Sequence, residues 1–171
     1  AARDRLELSL DIFERLAADP RLAGWDGLGF VVQAYQKRAR AVIDWLVAVA
    51  RSERRRLMVR LVKGAYWDTE IKRAQVDGLD DYPVFTRKTH TDISYLACAR
   101  AMLESCPLLY PMFATHNAHA IAWVIARAAA LGVTEFEFQR LHGMGEALYG
   151  QVAAARDVPC RVYAPVGSHE D

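Results

Sequence analysis

RLVKGAYW, Arg60 to Trp67, sets two fixed charges, a glycine and two large aromatics at the end of an apolar run, Leu57 to Val62, that reads as a buried strand. Strand alternation sends Arg60 and Val62 to one side, Leu61 and Lys63 to the other. A buried guanidinium keeps its proton and must find acceptors, so Arg60 either pairs with a carboxylate or holds an electron-rich ligand. Gly64 permits close backbone approach, and Tyr66 and Trp67 offer flat faces on which a ring system could lie. The residues alone leave two readings open: a salt-bridged arginine with two core aromatics, or a ligand site.

Working outward, the same strand-then-helix alternation recurs. Asp4 to Ala18 reads as an amphipathic helix with Leu6, Leu10, Phe13 and Ala17 inward, stopped by Asp19-Pro20. Phe30-Val31-Val32, ending in Gln33, reads as a strand buried on both faces. A helix follows over Arg38 to Ser52, with Val42, Trp45, Leu46 and Val49 on its inner face. Beyond Trp67 the pattern predicts helices over Thr69 to Val76 and Thr91 to Glu104, the latter capped by Thr91, with the loop DGLDDYPVFTRKTH between them. Strands at Leu108 to Ala114, Phe136 to Leu141 and Arg161 to Ala164 alternate with helices at His119 to Ala130 and Gly145 to Ala155.

Successive strand centres lie about 24 to 28 residues apart, with one double step, as right-handed βα units require. Polar groups stand at the carboxyl end of each strand: Gln33, Arg60 to Trp67, Thr115-His116-Asn117, Gln139 to His142 and Tyr163. In a (β/α)8 barrel all strand ends converge on one mouth, whereas an open doubly wound sheet spreads them along an edge. The expectation is therefore an α/β fold, a partial (β/α)8 TIM-type barrel with about five of eight strands present and the closing helix missing.

Composition adds only bounds. The 171 residues, 53% hydrophobic and 25% charged, are ordinary for a globular domain. A formal net charge of +1 gives no global electrostatic reason to expect a nucleic acid or an anionic membrane as a partner. The basic run RSERRR, Arg51 to Arg56, reads as a solvated helix end that complements the helix dipole. Cys98, Cys106 and Cys160 have no metal-like spacing and read as reduced thiols of a cytoplasmic protein. No apolar run reaches the roughly 18 residues that span a bilayer.

Three motifs carry weaker signals. ATHNAH, Ala114 to His119, holds two histidines, but no carboxylate or cysteine completes a metal set, so none is expected. Thr115, His116 and Asn117 read as hydrogen-bonding groups leading into a helix, where free backbone N–H groups attract phosphate, or as a turn capped by Asn117. HGMGE, His142 to Glu146, lacks the third glycine of a dinucleotide fingerprint and reads as a tight turn. No hydrolase elbow or P-loop lysine motif appears.

Taken together, GLGFVVQAYQKRA, RLVKGAYWDTEIKRAQ, YPVFTRKTHTDISYLACA, FATHNAHAIA, FEFQRLHGMGE and CRVYAPVGSHED resemble the proline dehydrogenase domain of the bifunctional proline utilization A flavoenzymes, in family order over nearly the whole chain. The resemblance implies a barrel that binds FAD and oxidises L-proline to pyrroline-5-carboxylate, passing electrons to a quinone. It implies a cytoplasmic parent protein with peripheral, redox-linked association to the inner membrane. By that resemblance Gln33 contacts the flavin and Arg60 lies near flavin N5. Val62, Lys63, Gly64 and Ala65 line the cofactor, with Trp67 at its border. Thr86, Arg87, Lys88, Thr115, His116 and Asn117 contact the adenine-dinucleotide part. Gln139 and Leu141 complete the floor, and Tyr66, Leu141 and Tyr163 join Arg60 around the substrate. Arg140 receives no role.

The family's active-site lysine and aspartate on early strands, and its arginine pair and glutamate on a last helix, find no match in these residues. The chain is accordingly expected to be a segment, residues 1–171, of the barrel's carboxyl-terminal half, folding poorly alone and with little activity. Two other functions stay in view: a non-catalytic barrel remnant used as a scaffold, and a different flavin barrel such as a methylenetetrahydrofolate reductase-like enzyme.

Overall fold

A computed structural model describes residues 3–155, 157–164, 166 and 167. Its elements run α1 (Arg3–Ala17), a 3₁₀ turn (Pro20–Leu22), β1 (Gly29–Gln33), α2 (Ala39–Ser52), β2 (Leu57–Val62), α3 (Trp67–Val76) and α4 (Lys88–Glu104). They continue β3 (Leu109–Ala114), α5 (Ala118–Leu131), β4 (Glu137–Leu141), α6 (Glu146–Ala155) and β5 (Cys160–Tyr163). All strand pairs are parallel, and the sheet order is β1-β2-β3-β4-β5. That order has no reversal and therefore no switch point, so the sheet is part of a (β/α)8-type barrel and not a doubly wound sheet. Residue 165 and residues 168–171, the end of the last quoted block, lie outside the described residues.

Alternation builds the two faces. Leu57, Val59 and Leu61 of β2, Leu109 and Phe113 of β3, and Phe138 of β4 are buried under the helices. Ile43 and Leu46 of α2, Tyr95 and Met102 of α4, and Ile121 and Val124 of α5 cover them. Phe113, Phe136 and Phe138 pack with ring centroids 5.8 to 6.1 Å apart. Each large side chain buried here stabilises the layer by roughly 1.5 to 3 kcal/mol relative to exposure. The opposite face carries Met58, Arg60 and Val62 of β2 and Tyr110, Met112 and Ala114 of β3, all half-buried. This is the inward face of the barrel.

Four expectations change. β1 is not buried on both faces: Val32 is 3% exposed but Val31 is 41% exposed, because Val31 points to the inward face, which opens into a cavity. Helix α3 begins at Trp67, so the second aromatic of RLVKGAYW opens a helix. Helix α4 begins at Lys88, a turn before Thr91, with Arg87 as its cap and no side-chain capping bond. Lys63, just past the end of β2 at Val62, follows Leu61 toward the helices: its ammonium pairs with Asp92 of α4, while the residue also borders the mouth.

The run RSERRR also does more than cap a helix. Arg54 takes a positive φ of 51°, turning the chain from α2 into β2. Arg55 donates to the backbone oxygens of Ala17, Leu22 and Trp25 at 2.9, 3.2 and 2.7 Å, fastening α1 and the loop after it to the amino end of β2. Arg56 lies 5.0 Å from the Tyr110 ring centroid and donates to Glu135. Outside, α1 shows a second apolar stripe, Leu8, Ile12 and Leu16, exposed at helical spacing.

Candidate active site at the carboxyl ends of the strands

Strand β2 delivers Arg60 to the barrel mouth at the level of Val31 on β1 and Met112 on β3. Its Nε donates to Gln139 Oε1 at 2.6 Å, and its guanidinium carbon stands 5.1 Å from the Tyr163 ring centroid. Among the described residues the terminal nitrogens of Arg60 have no hydrogen-bonded acceptor and no carboxylate pairs with it. Tyr66 and Trp67, 68% and 40% exposed, are not the core aromatics of the alternative reading.

A cavity of about 410 Å³ opens over this arginine. Gln33 from β1, Arg60 and Val62 from β2, and Lys63, Gly64, Ala65 and Tyr66 from the following loop line one side. His116, Gln139, Leu141 and Tyr163 line the other, joined by Val31 and Ala114. A second hollow of about 370 Å³ shares Lys63 and Gly64 with the first and is bounded by Trp67, Thr86 and Lys88. Arg87, Thr115 and Asn117 line neither. Arg87 caps α4, Asn117 Oδ1 accepts the Ala120 N–H at 2.9 Å, and Thr115 Oγ1 accepts the Asn117 N–H at 3.1 Å. These bonds set the loop that presents His116, whose Nε2 accepts the Leu141 N–H at 3.3 Å.

Residues outside the sequence-based candidates shape both hollows. Tyr35, 2% exposed, lies beneath Gly64, where a Cβ would come within 2.6 Å of its ring. The glycine is thus demanded by the tyrosine below it and by its own φ of +120°, more than by a ligand above. Burial, with a further push from Glu70, raises the Tyr35 hydroxyl to about 12, so it stays neutral. Its backbone ties three segments: the Tyr35 N–H donates to Lys63 O, and the Phe85 N–H donates to Tyr35 O, both at 2.8 Å. Trp67 Nε1 also donates to Phe85 O at 2.9 Å. Asp92 of α4 pairs with Lys63 and, at 2.8 Å, with Lys88, and the two lysines hold its carboxyl below the ordinary value. Tyr35 and Asp92 fall within the quoted blocks GLGFVVQAYQKRA and YPVFTRKTHTDISYLACA, but no spacing marks either as part of the site.

One strand level below the cavity, Gln139 Nε2 donates to Glu137 Oε1 at 2.8 Å. Glu137, 4% exposed, also receives two bonds from Arg161, at 2.7 and 2.9 Å. Arg140, given no role from sequence, turns away from this network. Its guanidinium donates to the Leu141 and Met144 oxygens at 3.3 Å, latching the loop on which Gly143 and Gly145 take positive φ. Among the described residues no group of three or more His, Cys, Asp or Glu side chains is placed to hold a metal, and no helix is long and apolar enough to cross a membrane.

The arrangement suits a flat, electron-rich ligand. A fixed cation with free donors faces the larger hollow, cationic lysines and the Trp67 ring border the adjoining one, and Leu141 with Tyr163 supplies an apolar wall.

Comparison with known proteins gives one answer. The family described as proline dehydrogenase matches residues 2–171. The bifunctional protein PutA of Escherichia coli is 60% identical over 98% of this chain, which covers 13% of that protein. A crystal structure of a variant of Bradyrhizobium japonicum proline utilization A superposes with a TM-score of 0.93 at 63% identity, over 97% of this chain and 17% of that one. The Bdellovibrio bacteriovorus proline utilization A, solved after inactivation by N-propargylglycine, also gives a TM-score of 0.93, at 33% identity over 99% of this chain and 18% of that one. The chain thus spans about 13% of the length of the curated relatives it matches.

Proposed function

The chain belongs to the proline dehydrogenase family, and on that premise we propose that it is a segment, residues 1–171, of an FAD-dependent proline dehydrogenase barrel that oxidises L-proline to pyrroline-5-carboxylate. The observation that carries this reading is Arg60: a half-buried guanidinium that no carboxylate of the described residues neutralises, aimed into a cavity with a cation-bordered hollow beside it. The relative inactivated by N-propargylglycine supports it, since that compound, like proline, is an amino acid with a carbon–hydrogen bond next to a substituted nitrogen.

The residues fit FAD. Arg60, Gln33 and Gln139 would hold the ring system, and Val62, Lys63, Gly64, Ala65 and Trp67 would line its path. Lys88 and Thr86 border the hollow that suits the adenine-dinucleotide part, and Arg87, Thr115 and Asn117 would act through the loops they set, the last two by presenting His116 to the larger cavity. When bound, FAD supplies the acceptor for a hydride equivalent from the proline ring carbon next to nitrogen. Arg60 supplies a fixed positive charge that stabilises developing negative charge beside it, more in the transition state than in the ground state. Tyr66, Leu141 and Tyr163 orient a small saturated ring and exclude water. The Gln139 bond and the Tyr163 ring keep the guanidinium from swinging away. Electrons pass on to a quinone, and the parent protein meets its acceptor at the membrane surface by peripheral association.

The test is a flavin absorbance spectrum of the full-length protein, without oxygen, before and after L-proline. We expect bound flavin that bleaches with proline and recovers on addition of a soluble quinone. A protein that retains no flavin, or whose flavin ignores proline, overturns the reading.

A further inference from the structure

We propose that Glu137 is a positioning residue for Arg60, acting through the side-chain amide of Gln139. This inference rests on the site reading above. Glu137 does not line the cavity and meets its lining through Gln139; it lies one strand level deeper, 4% exposed, on the same inward face of β4 as Gln139.

The physical problem is the amide. Its two ends have nearly the same shape but opposite hydrogen-bonding character, oxygen accepting and nitrogen donating. Arg60 has only donors, so it is held only if Gln139 turns its oxygen upward. At the lower end, Glu137 Oε1 accepts from Gln139 Nε2 at 2.8 Å, while the other neighbour of that nitrogen is Met112 Sδ at 3.3 Å, a weak acceptor. An ionised carboxylate accepts and never donates, so it fixes the amide with nitrogen down and oxygen up. The 2.6 Å bond from Arg60 follows from that orientation.

The carboxylate is itself secured. Arg161 donates Nε and Nη2 to its two oxygens, and Tyr110 Oη donates at 3.4 Å. Burial alone would raise the Glu137 carboxyl, but the bonds from Arg161 and Gln139 outweigh it and hold the group below the ordinary value. Glu137 therefore remains a pure acceptor throughout the neutral range. The order Arg161, Glu137, Gln139, Arg60 runs across β5, β4 and β2 and ends at the cation facing the cavity.

The experiment uses the full-length protein with its flavin. Replacing Glu137 and Arg161 together, as Glu137→Gln with Arg161→Gln, keeps the net charge and removes the acceptor-only lock. We expect kcat to fall about tenfold, KM for proline to stay within about twofold, and the flavin midpoint potential to become more negative. A tenfold loss in stabilising the two-electron reduced form corresponds to about 30 mV. In a Gln139→Met background the same pair of changes should add nothing beyond about twofold, because the amide through which Glu137 acts is gone. Should the double variant fail to fold, the isosteric Glu137→Gln serves in the same two backgrounds. An equal loss in both backgrounds, or an unchanged potential with Gln139 intact, overturns the proposal while leaving the flavin site standing. An unchanged potential in Arg60→Met overturns the site reading and this inference with it.

Discussion

Arg55, two residues before β2, and Arg60, near the carboxyl end of that strand, are both half-buried guanidinium groups. Arg55 is answered by the fold itself: three backbone oxygens, from Ala17, Leu22 and Trp25, accept from its terminal nitrogens. Arg60 is answered through Nε by one amide oxygen and on its face by one ring, while its terminal nitrogens point toward a cavity. A structural arginine and a binding one differ in the acceptors the chain supplies to their terminal nitrogens. The count of acceptors that the chain provides matters more than burial, since burial is similar for both.

The largest effect is expected at Arg60. In the full-length protein, Arg60→Met should lower kcat/KM for proline by about a hundredfold or more, as loss of a transition-state charge partner does, with the thermal midpoint shifted by a degree or two. Arg55→Met should do the reverse. Loss of bonds from a charged donor to three carbonyls lowers stability by about 2 to 3 kcal/mol, and kcat of the folded fraction stays near wild type. Denaturant unfolding beside steady-state kinetics separates the two. An Arg60 variant that unfolds, or a folded Arg55 variant without turnover, would erase the distinction.

Much of this contrast was legible in the sequence, but unevenly. The βα alternation was, because each strand is a compact apolar run closed by polar residues, and the bounds of β2 match its run, Leu57 to Val62. The cluster at the strand ends was legible because barrel topology alone brings Gln33, Arg60, Gln139 and Tyr163 to one mouth. What was not legible is contact across strands. Nothing in RSERRR distinguishes Arg55 from its neighbours, since its partners are backbone oxygens 30 to 38 residues away. Tyr35 under Gly64 is hidden for the same reason. Helix α4 starts before Thr91 with no capping side chain to mark its first turn.

Gly64 sharpens the comparison at the carboxyl end. Gly64→Ala combines a φ of +120° with a Cβ 2.6 Å from the Tyr35 ring. Strain of this kind costs on the order of 1 to 3 kcal/mol, and the displaced loop carries Lys63 and Tyr66 with it. We expect lower stability together with weaker flavin retention, measured by unfolding and by flavin fluorescence after gel filtration. Adding Tyr35→Leu should restore part of the loss by removing the clash but not the φ strain. No restoration would mean that the ring below does not determine the glycine.

The smallest effect belongs to a third kind of cation, Lys63, which is held neither by backbone nor by a ligand but by Asp92, a carboxylate shared with Lys88. The Asp92 side chain is 35% exposed, so solvent screens the pair, and Asp92→Asn should lower stability by less than about 1 kcal/mol at neutral pH. The sign with pH follows from the direction of the shift. Hydrogen bonds from Lys63 and then Lys88 depress the folded carboxyl below its ordinary 3.8, so the contribution is complete above 3.8 and disappears as pH falls through the lower folded value. The stability gap between wild type and Asp92→Asn should therefore be flat from neutral pH down to about that ordinary value and close below it, and added salt should narrow it at every pH above. A gap that ignores both pH and salt would show that Asp92 holds Lys63 by shape alone, and the two lysines would then join Arg55 on the structural side of the comparison.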